Sequence, residues 1–492
     1  MTAPTYGIII QESVQSPVPV MAGDFSVVGI LCPIDDANTT KFPLNTPIAF
    51  NSTDISYTAL AGTGHLADAL TAINNQLQAW ETAVSIIAVL VPNASDVPTQ
   101  IANLLGDSNA LTGLYTFKKA GILTGFIPRI LVIPGGFTGY VPFAVTAPNL
   151  TAGGFGYTHA SVTFTPAGPT ATATVSSGGA VNAINMTAPG SYPPGTTVTA
   201  AIAGDGTGAH FTFTLAPEAN PLVAALPAVC NALLAVAPVA APGDGVIADS
   251  YSWRQTMSSD RLIPLDAWMI APDGGYSDGL AEFAGTLTSV DFQHGGLPGW
   301  SAAGQSVQGI LGLKTYYSFS LTDGATQGQQ LLAQQIGVCE PGVIGSDTAI
   351  ASAGYVWASV FNAAVDPRVW FYNKRRMKDF VNLALVKAIR LHLGKENVTP
   401  HGVQAVLNDM VNLGSYLLSR QISLGFQVSF TASENSPSML QQGQFTVDFA
   451  NEVPAPITQV TVNSSDDFQA LVVELQTIVA QAATNAPQYL TE

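Results

Sequence analysis

Apolar residues fall along this chain in two rhythms. Three short stretches are apolar at nearly every position: SVVGILC (26–32), SIIAVLVP (85–92) and IPRILVIPGG (127–136). A strand with one wet face would alternate, so unbroken runs predict strands buried on both faces. Between them, HLADALTAINNQLQAW (65–80) sets Leu66, Leu70, Ile73, Leu77 and Trp80 at helical spacing. DVPTQIANLLG predicts a second helix, with Asp96 as its N-cap. Buried strands alternating with amphipathic helices predict an α/β (α+β) core with a mostly parallel sheet.

The texture then changes. Residues 141–217 carry one charged residue, Asp205, and are dense in Gly, Thr, Ala and Pro. GFGYTHASVTFT (154–165) is echoed by APGSYPPGTTVTA (188–200), and ATATV (171–175) by HFTFTL (210–215). Short alternating strands with glycine turns predict a small all-β domain inserted in a surface loop of the core. Its GDGTG (204–208) lacks a following helix start and a nearby Lys, so it reads as a hairpin turn rather than a phosphate loop.

The first texture resumes near residue 220. PLVAALPAVCNALLAVAPVAAPG (221–243) is uncharged, but prolines cut it. A helix started by Pro227 and stopped by Pro238 has about eleven residues, too short to span a membrane, and is expected to be buried. GVIADSY (245–251) and PLDAWMIAP (264–272) read as strands. A long helix is expected from about Asn373 and another over THGVQAVLNDMVNLGSYLLSRQ, followed by strands at QVSFT (427–431) and QFTVDFA (444–450). After Pro454 and Pro456 come one more strand, ITQVTVN (457–463), and a helix with Phe468, Leu471, Val472, Leu475, Ile478 and Val479 on one face.

The opening stretch, TYGIIIQES, spends Tyr6, Ile8, Ile9 and Ile10 on an apolar strand, where chain ends are usually polar. An unpaired strand invites pairing with another edge, so its partner is the question it raises.

Composition sharpens that question. Charged residues are 10% of the 492, against about 25% in an ordinary soluble domain, which reads as surface meant for other subunits. The net charge of −17 argues against a nucleic-acid or anionic-membrane binder. No basic-then-apolar leader is read at the start, and no membrane insertion is expected. Cys32 and Cys230 read as core hydrophobes, and Cys339, in GVCEPG, as an exposed turn residue. No CxxC pattern or neighbouring His marks a metal site, and no cofactor is expected.

Candidate chemistry is sparse. The histidines are His65, His159, His210, His294, His392 and His401, with no HExxH among them. GQSVQG (304–309) has the wrong spacing for a nucleophile elbow. Asp266, Asp273 and Asp278 read as strand-end and turn residues. The conspicuous feature is basic. Nine of the 16 Lys and Arg lie between Arg368 and Arg420, with Lys374, Arg375, Arg376 and Lys378 packed into a helix start. Cations there oppose the helix dipole, so the cluster is expected to face an acidic partner.

Three stretches resemble contractile tail sheath proteins of phages and related injection particles. PTYGIIIQESVQSPVPV with FSVVGILCP is similar to the sheath amino end, NKRRMKDFVNLALVKAI to an inner sheath helix, and FTVDFANEVPAPITQVTVN to the closing strand, proline linker and terminal strand. The resemblance implies a structural subunit with no catalytic site, which polymerises in stacked rings around an inner tube and contracts to drive the tube through the host envelope. It implies residues 1–20 as an amino arm, 21–140 and 218–452 as two parts of one core, 141–217 as an outward insert, and 453–492 as a carboxyl linker and strand, from which the helix read at its end departs. Tyr6, Ile8, Ile10, Ile457, Val460 and Val462 would then lie on arm strands added to neighbouring subunits. Lys374, Arg375, Arg376 and Lys378 would face the tube, and Cys339 is a candidate for an intersubunit disulfide. The implied partners are other copies, the inner tail tube protein, and baseplate and tail terminator proteins. The implied place is the virion tail, assembled in the host cytoplasm. The residues alone leave open a non-contractile or adhesive phage protein and an α/β hydrolase.

Overall fold

The computed structural model describes residues 23–485. The strand Val28–Pro33 lies between Ser85–Val91 and Ile130–Val132 and is parallel to both, with Ile30 opposite Ala88 and Val132. Ile48–Asn51 adds an antiparallel edge. A second sheet orders Ala237–Ala240, Leu262–Asp266, Gly337–Pro341 and Tyr355–Ala358, the last antiparallel to its neighbour. The two sheets meet through a parallel bridge between Ile130 and Val236, where Leu131 N donates to Val236 O at 2.8 Å and Val236 N to Arg129 O at 2.9 Å.

Alternate side chains of a strand point to opposite faces. Val28, Ile30, Cys32, Ile86, Ala88 and Leu90 therefore pack on one side, with Leu66, Leu70 and Ile73 of helix His65–Leu77 and Phe283 and Leu287 of helix Leu280–Gln293. Leu31, Ile87, Val89 and Val91 pack on the other, with Ile101 and Leu104 of helix Val97–Leu105 and Leu222, Leu226 and Val229 of helix Pro221–Leu233. Both faces are covered, which is why these strands carry no polar alternation. Each large aliphatic side chain buried this way contributes about 1.5–3 kcal/mol. The helices His65–Leu77 and Leu280–Gln293 approach so closely at Gly285 that a Cβ there would sit 2.9 Å from the Ile73 Cα. Asp96 caps its helix by accepting from Thr99 N at 2.9 Å.

Three local expectations are corrected. The helix at 221 starts at Pro221, where Asn220 accepts from Leu222 N, and Pro227 lies inside it; Pro238 belongs to a strand. Residues 247–255 are a helix, not a strand, because Ser250, Trp253 and Arg254 face inward at helical spacing. The inward positions are polar or amphipathic: Trp253 Nε1 donates to Thr138 O at 3.0 Å, and Ser250 Oγ to Asp266 at 2.6 Å. Residues 457–463 form no strand in the single chain; they pair with no edge among the described residues.

Residues 143–217 hold six strands and no helix. Phe143–Phe155 and Thr207–Pro217 pair antiparallel, and the other four form a sheet of their own. Phe164, Tyr192 and Val145 fill one small core, and Tyr157, Val181 and Ile184 another. Asp205 closes the GDGTG turn by accepting from the Thr158 hydroxyl and from the backbone of His159 and Thr158, which holds its carboxyl far below the usual range. The two ends of the segment meet, with Glu218 N donating to Pro142 O at 2.8 Å.

Helices Tyr372–Ile389 and Pro400–Ser419 pack with the antiparallel hairpin Gly425–Ser429/Asp448–Glu452 around Phe25, Met377, Phe380, Leu413 and Leu417. The Phe426 ring lies against Gly414, where a Cβ would come within 2.3 Å of it. Residues from Pro456 form a separate unit: an extended stretch followed by helix Phe468–Asn485.

Candidate assembly surfaces

The basic helix start is turned largely inward. Arg376 is buried and pairs with buried Asp291, Nη1 lying 3.0 Å from Oδ1, while its Nη2 donates to Phe25 O. Arg375 reaches Asp260 at 3.2 Å and Asp379, and Arg261 donates to the same Asp379. Lys374 Nζ donates to Glu452 Oε1 at 2.6 Å, tying the helix to the hairpin. Lys378 is exposed.

Repulsion within the cluster is therefore offset by acids of the same chain. Asp260, Arg261 and Asp291 come from the α/β core, so these pairs fasten the helix onto it. The expectation that all four cations face the inner tube is corrected for Arg376, which is enclosed, and for Arg375, which is half-buried and doubly paired. Lys374 and Lys378 border a cleft of about 350 Å³ with Asp366, Arg368 and Glu452.

Cys339 is also corrected. It lies in the strand Gly337–Pro341 opposite Trp357, is buried, and burial pushes its thiol well up. A thiol enclosed inside one subunit cannot bridge to another without opening the fold. Cys32 and Cys230 are buried free thiols too, the latter pushed up to about 12.

Tyr6, Ile8 and Ile10 lie outside the described residues. Ile457, Val460 and Val462 are exposed on extended chain with no ladder partner among the described residues. Such backbone can accept a strand partner.

The carboxylates and histidines weighed for chemistry serve local structure. His65 Nδ1 meets Asp35 at 2.7 Å, and His392 bridges Glu396 and Asp409. No hydroxyl or thiol bonds either imidazole among the described residues; at His159, Nδ1 lies 2.9 Å from the Thr158 hydroxyl, which also donates to Asp205. Asp266 accepts from Ser250 and Tyr317, and Asp278 from the backbone of Gly136 and Leu280. No cluster of metal-ligating residues occurs, and no helix is long and apolar enough to cross a membrane, among the described residues.

What sequence reading missed were the acids that answer the arginines. Asp260 and Asp291 are 115 and 85 residues from their partners, and no local spacing announces them.

Sequence comparison finds relatives among phage tail proteins. Over 134 residues the chain is 32% identical to the major tail sheath protein of Serratia phage KSP20, covering 26% of this chain and 33% of that one. Over 159 residues it is 27% identical to the tail sheath protein of Escherichia phage P2, covering 31% and 39%. The matched stretches thus span only about a third of each relative's length. No family model matches. In fold, the chain is similar to a chain of the contracted sheath complex of an extracellular contractile injection system, PVC, with a TM-score of 0.55 at 12% identity, over 96% of this chain and all of that one. It is similar to the contracted helical sheath of the anti-feeding prophage with a TM-score of 0.54 at 12% identity, over 95% of this chain and all of that one. The mixed α/β architecture is a sheath fold.

Proposed function

We propose that this chain is the sheath subunit of a contractile phage tail or related injection particle. It polymerises in stacked rings around an inner tube, and its contraction drives the tube through the host envelope, allowing genome ejection and host entry. The observation that carries this reading is the sequence kinship with two phage tail sheath proteins, on a fold similar to sheath chains over nearly the whole chain. The role is structural, and no residue is assigned to catalysis.

The amino arm, with Tyr6, Ile8 and Ile10, and the carboxyl segment, with Ile457, Val460 and Val462, cross to neighbouring copies and add strands. The two-stranded hairpin Gly425–Ser429/Asp448–Glu452 supports this reading, because a sheet so small leaves edges to which strands can add. Lys378 supplies the exposed tube-facing charge, beside Lys374, which Glu452 already answers within the chain. Exposed pairs of about 0.2–1 kcal/mol each hold a tube without locking it. The β-domain at 141–217 points outward. Contraction draws on the difference between extended and contracted contacts, a few kcal/mol per subunit multiplied along the cylinder. Baseplate and tail terminator proteins close its ends, in a virion assembled in the host cytoplasm.

Gold-labelled antibody to the full chain tests this on intact particles. Labelling along the outer tail cylinder is expected. Labelling confined to a tail tip or a capsid would overturn the reading.

A further inference from the structure

The terminal helix Phe468–Asn485 carries an apolar face of Phe468, Leu471, Val472, Leu475, Ile478 and Val479, all exposed. A helix of this composition in water is marginal unless its face is covered. Its charge has one sign. Asp466, Asp467 and Glu474 lie on or beside it, and residues 453–492 hold no Lys or Arg. Asp467 accepts from Gln469 N and Ala470 N, so acid gathers at its start. A complementary seat is therefore apolar with basic residues at one end.

The core carries such a patch. Ile122, 89% exposed, stands with Leu123, Phe126 and Ile127, all exposed, on helix Ala120–Thr124 and the turn after it. Lys118 and Lys119 lie just before them, Lys118 exposed and lying over the Tyr115 ring. In a chain with only 16 basic residues, an exposed apolar patch headed by two adjacent lysines is uncommon.

We infer that the terminal helix of one copy docks its apolar face on the Ile122–Ile127 patch of a second copy, with Asp466 and Asp467 toward Lys118 and Lys119. This rests on the sheath reading and names a contact within it. The chain from Pro456 to Asp467 is extended and reaches at most about 40 Å, enough to hold the helix near a neighbouring body. Once copies stand in a ring, that tether raises the seat to an effective concentration near the millimolar range, so a small contact suffices. The contact would survive rotation of the bodies, because the leash rather than the helix takes up the motion.

Two variants of the full chain, Ile122→Cys and Leu475→Cys, test this when mixed, assembled and oxidised; the three native thiols are buried. Mixing makes any bond between the two sites intermolecular. A disulfide-linked band at twice the 51.0 kDa chain mass is expected on non-reducing gels. A second pair, Leu123→Cys with Ile478→Cys, should behave alike. A control pair, Ile344→Cys with Leu475→Cys, should give at most a tenth of the product. Lys118→Glu with Lys119→Glu should lower the crosslink yield severalfold at low salt. Cylinders that form without the band, or with equal band in the control pair, overturn the docking and leave the sheath reading standing. If the unmodified chain makes no cylinders, the sheath reading fails and the docking falls with it.

Discussion

Arg376 and Asp291 face each other inside the protein, Nη1 3.0 Å from Oδ1, and join the helix Tyr372–Ile389 to the helix Leu280–Gln293 of the α/β core. Phe25 contributes its carbonyl to the same guanidinium and its ring to the core beside it. The cluster most easily read as a docking surface is thus largely a fastening within one subunit. A buried pair is costly to break because the survivor keeps its charge without water or partner.

Arg376→Ala is expected to destabilise the subunit by about 3–5 kcal/mol, read from the denaturant midpoint. Arg376→Met combined with Asp291→Leu should recover most of that loss, since no lone charge remains. A single variant within about 0.5 kcal/mol of the parent would show that the pair does not hold the helix.

Lys378→Glu separates the fastening from the tube contact. Lys378 is exposed, so the denaturant midpoint should stay within about 0.5 kcal/mol. Loading of sheath onto purified tubes should weaken, more so at low salt. Normal loading at both salt concentrations would remove Lys378 from the tube interface.

Glu340 lies buried beside Gly328, and both its carboxyl oxygens lack a hydrogen-bond partner among the described residues. Burial pushes it up to about 8, so the native state holds a proton that the unfolded chain gives up near pH 4.3. Stability should then fall as pH rises from about 4.3 to 8, by up to about 1.4 kcal/mol per unit at the steepest. Glu282, pushed up to about 7, adds the same sign over a narrower window. Glu340→Gln should flatten the slope of stability between pH 5 and 8 by about one proton. An unchanged slope would mean that Glu340 is ionised in the native state.

The three thiols should resist Ellman's reagent in the native protein and all react after denaturation, because each is buried and pushed up. Rapid labelling of one thiol in the native chain, or a dimer on non-reducing gels of intact particles, would restore Cys339 as an exposed residue.

Much of the core was legible because burial on both faces leaves a mark on sequence. SIIAVLVP has no polar position after Ser85, and the strand Ser85–Val91 sits between two helical layers. The helix at 97–105 announced itself through Asp96 and the proline after it. Legibility failed where the inward residues were polar. Ser250 and Arg254 hid a helix, and Pro227 looked like a boundary because a helix that forfeits one hydrogen bond is still held by Leu222, Leu226 and Val229 in the core. It failed again where partners were distant. Arg375 and Arg376 looked unanswered until the fold brought Asp260 and Asp291 to them. Cys339 looked exposed because GVCEPG carries turn residues, yet Val338, Cys339 and Glu340 run as a buried strand.

Pro142 and Glu218 meet, so the two ends left by removing the strands between them can be rejoined. Deleting 143–217 and closing the gap with a short glycine linker should leave a folded core that still forms cylinders of reduced diameter. A folded core that no longer assembles would show that the domain carries an essential contact.

The central claim is assembly into a contractile cylinder, and electron microscopy of the purified full chain tests it most directly. Long hollow cylinders with regular cross-striations are predicted, with the bore left for a tube. A protein that stays monomeric or forms only closed small oligomers, at concentrations and salt where its circular dichroism shows the native fold, would contradict it.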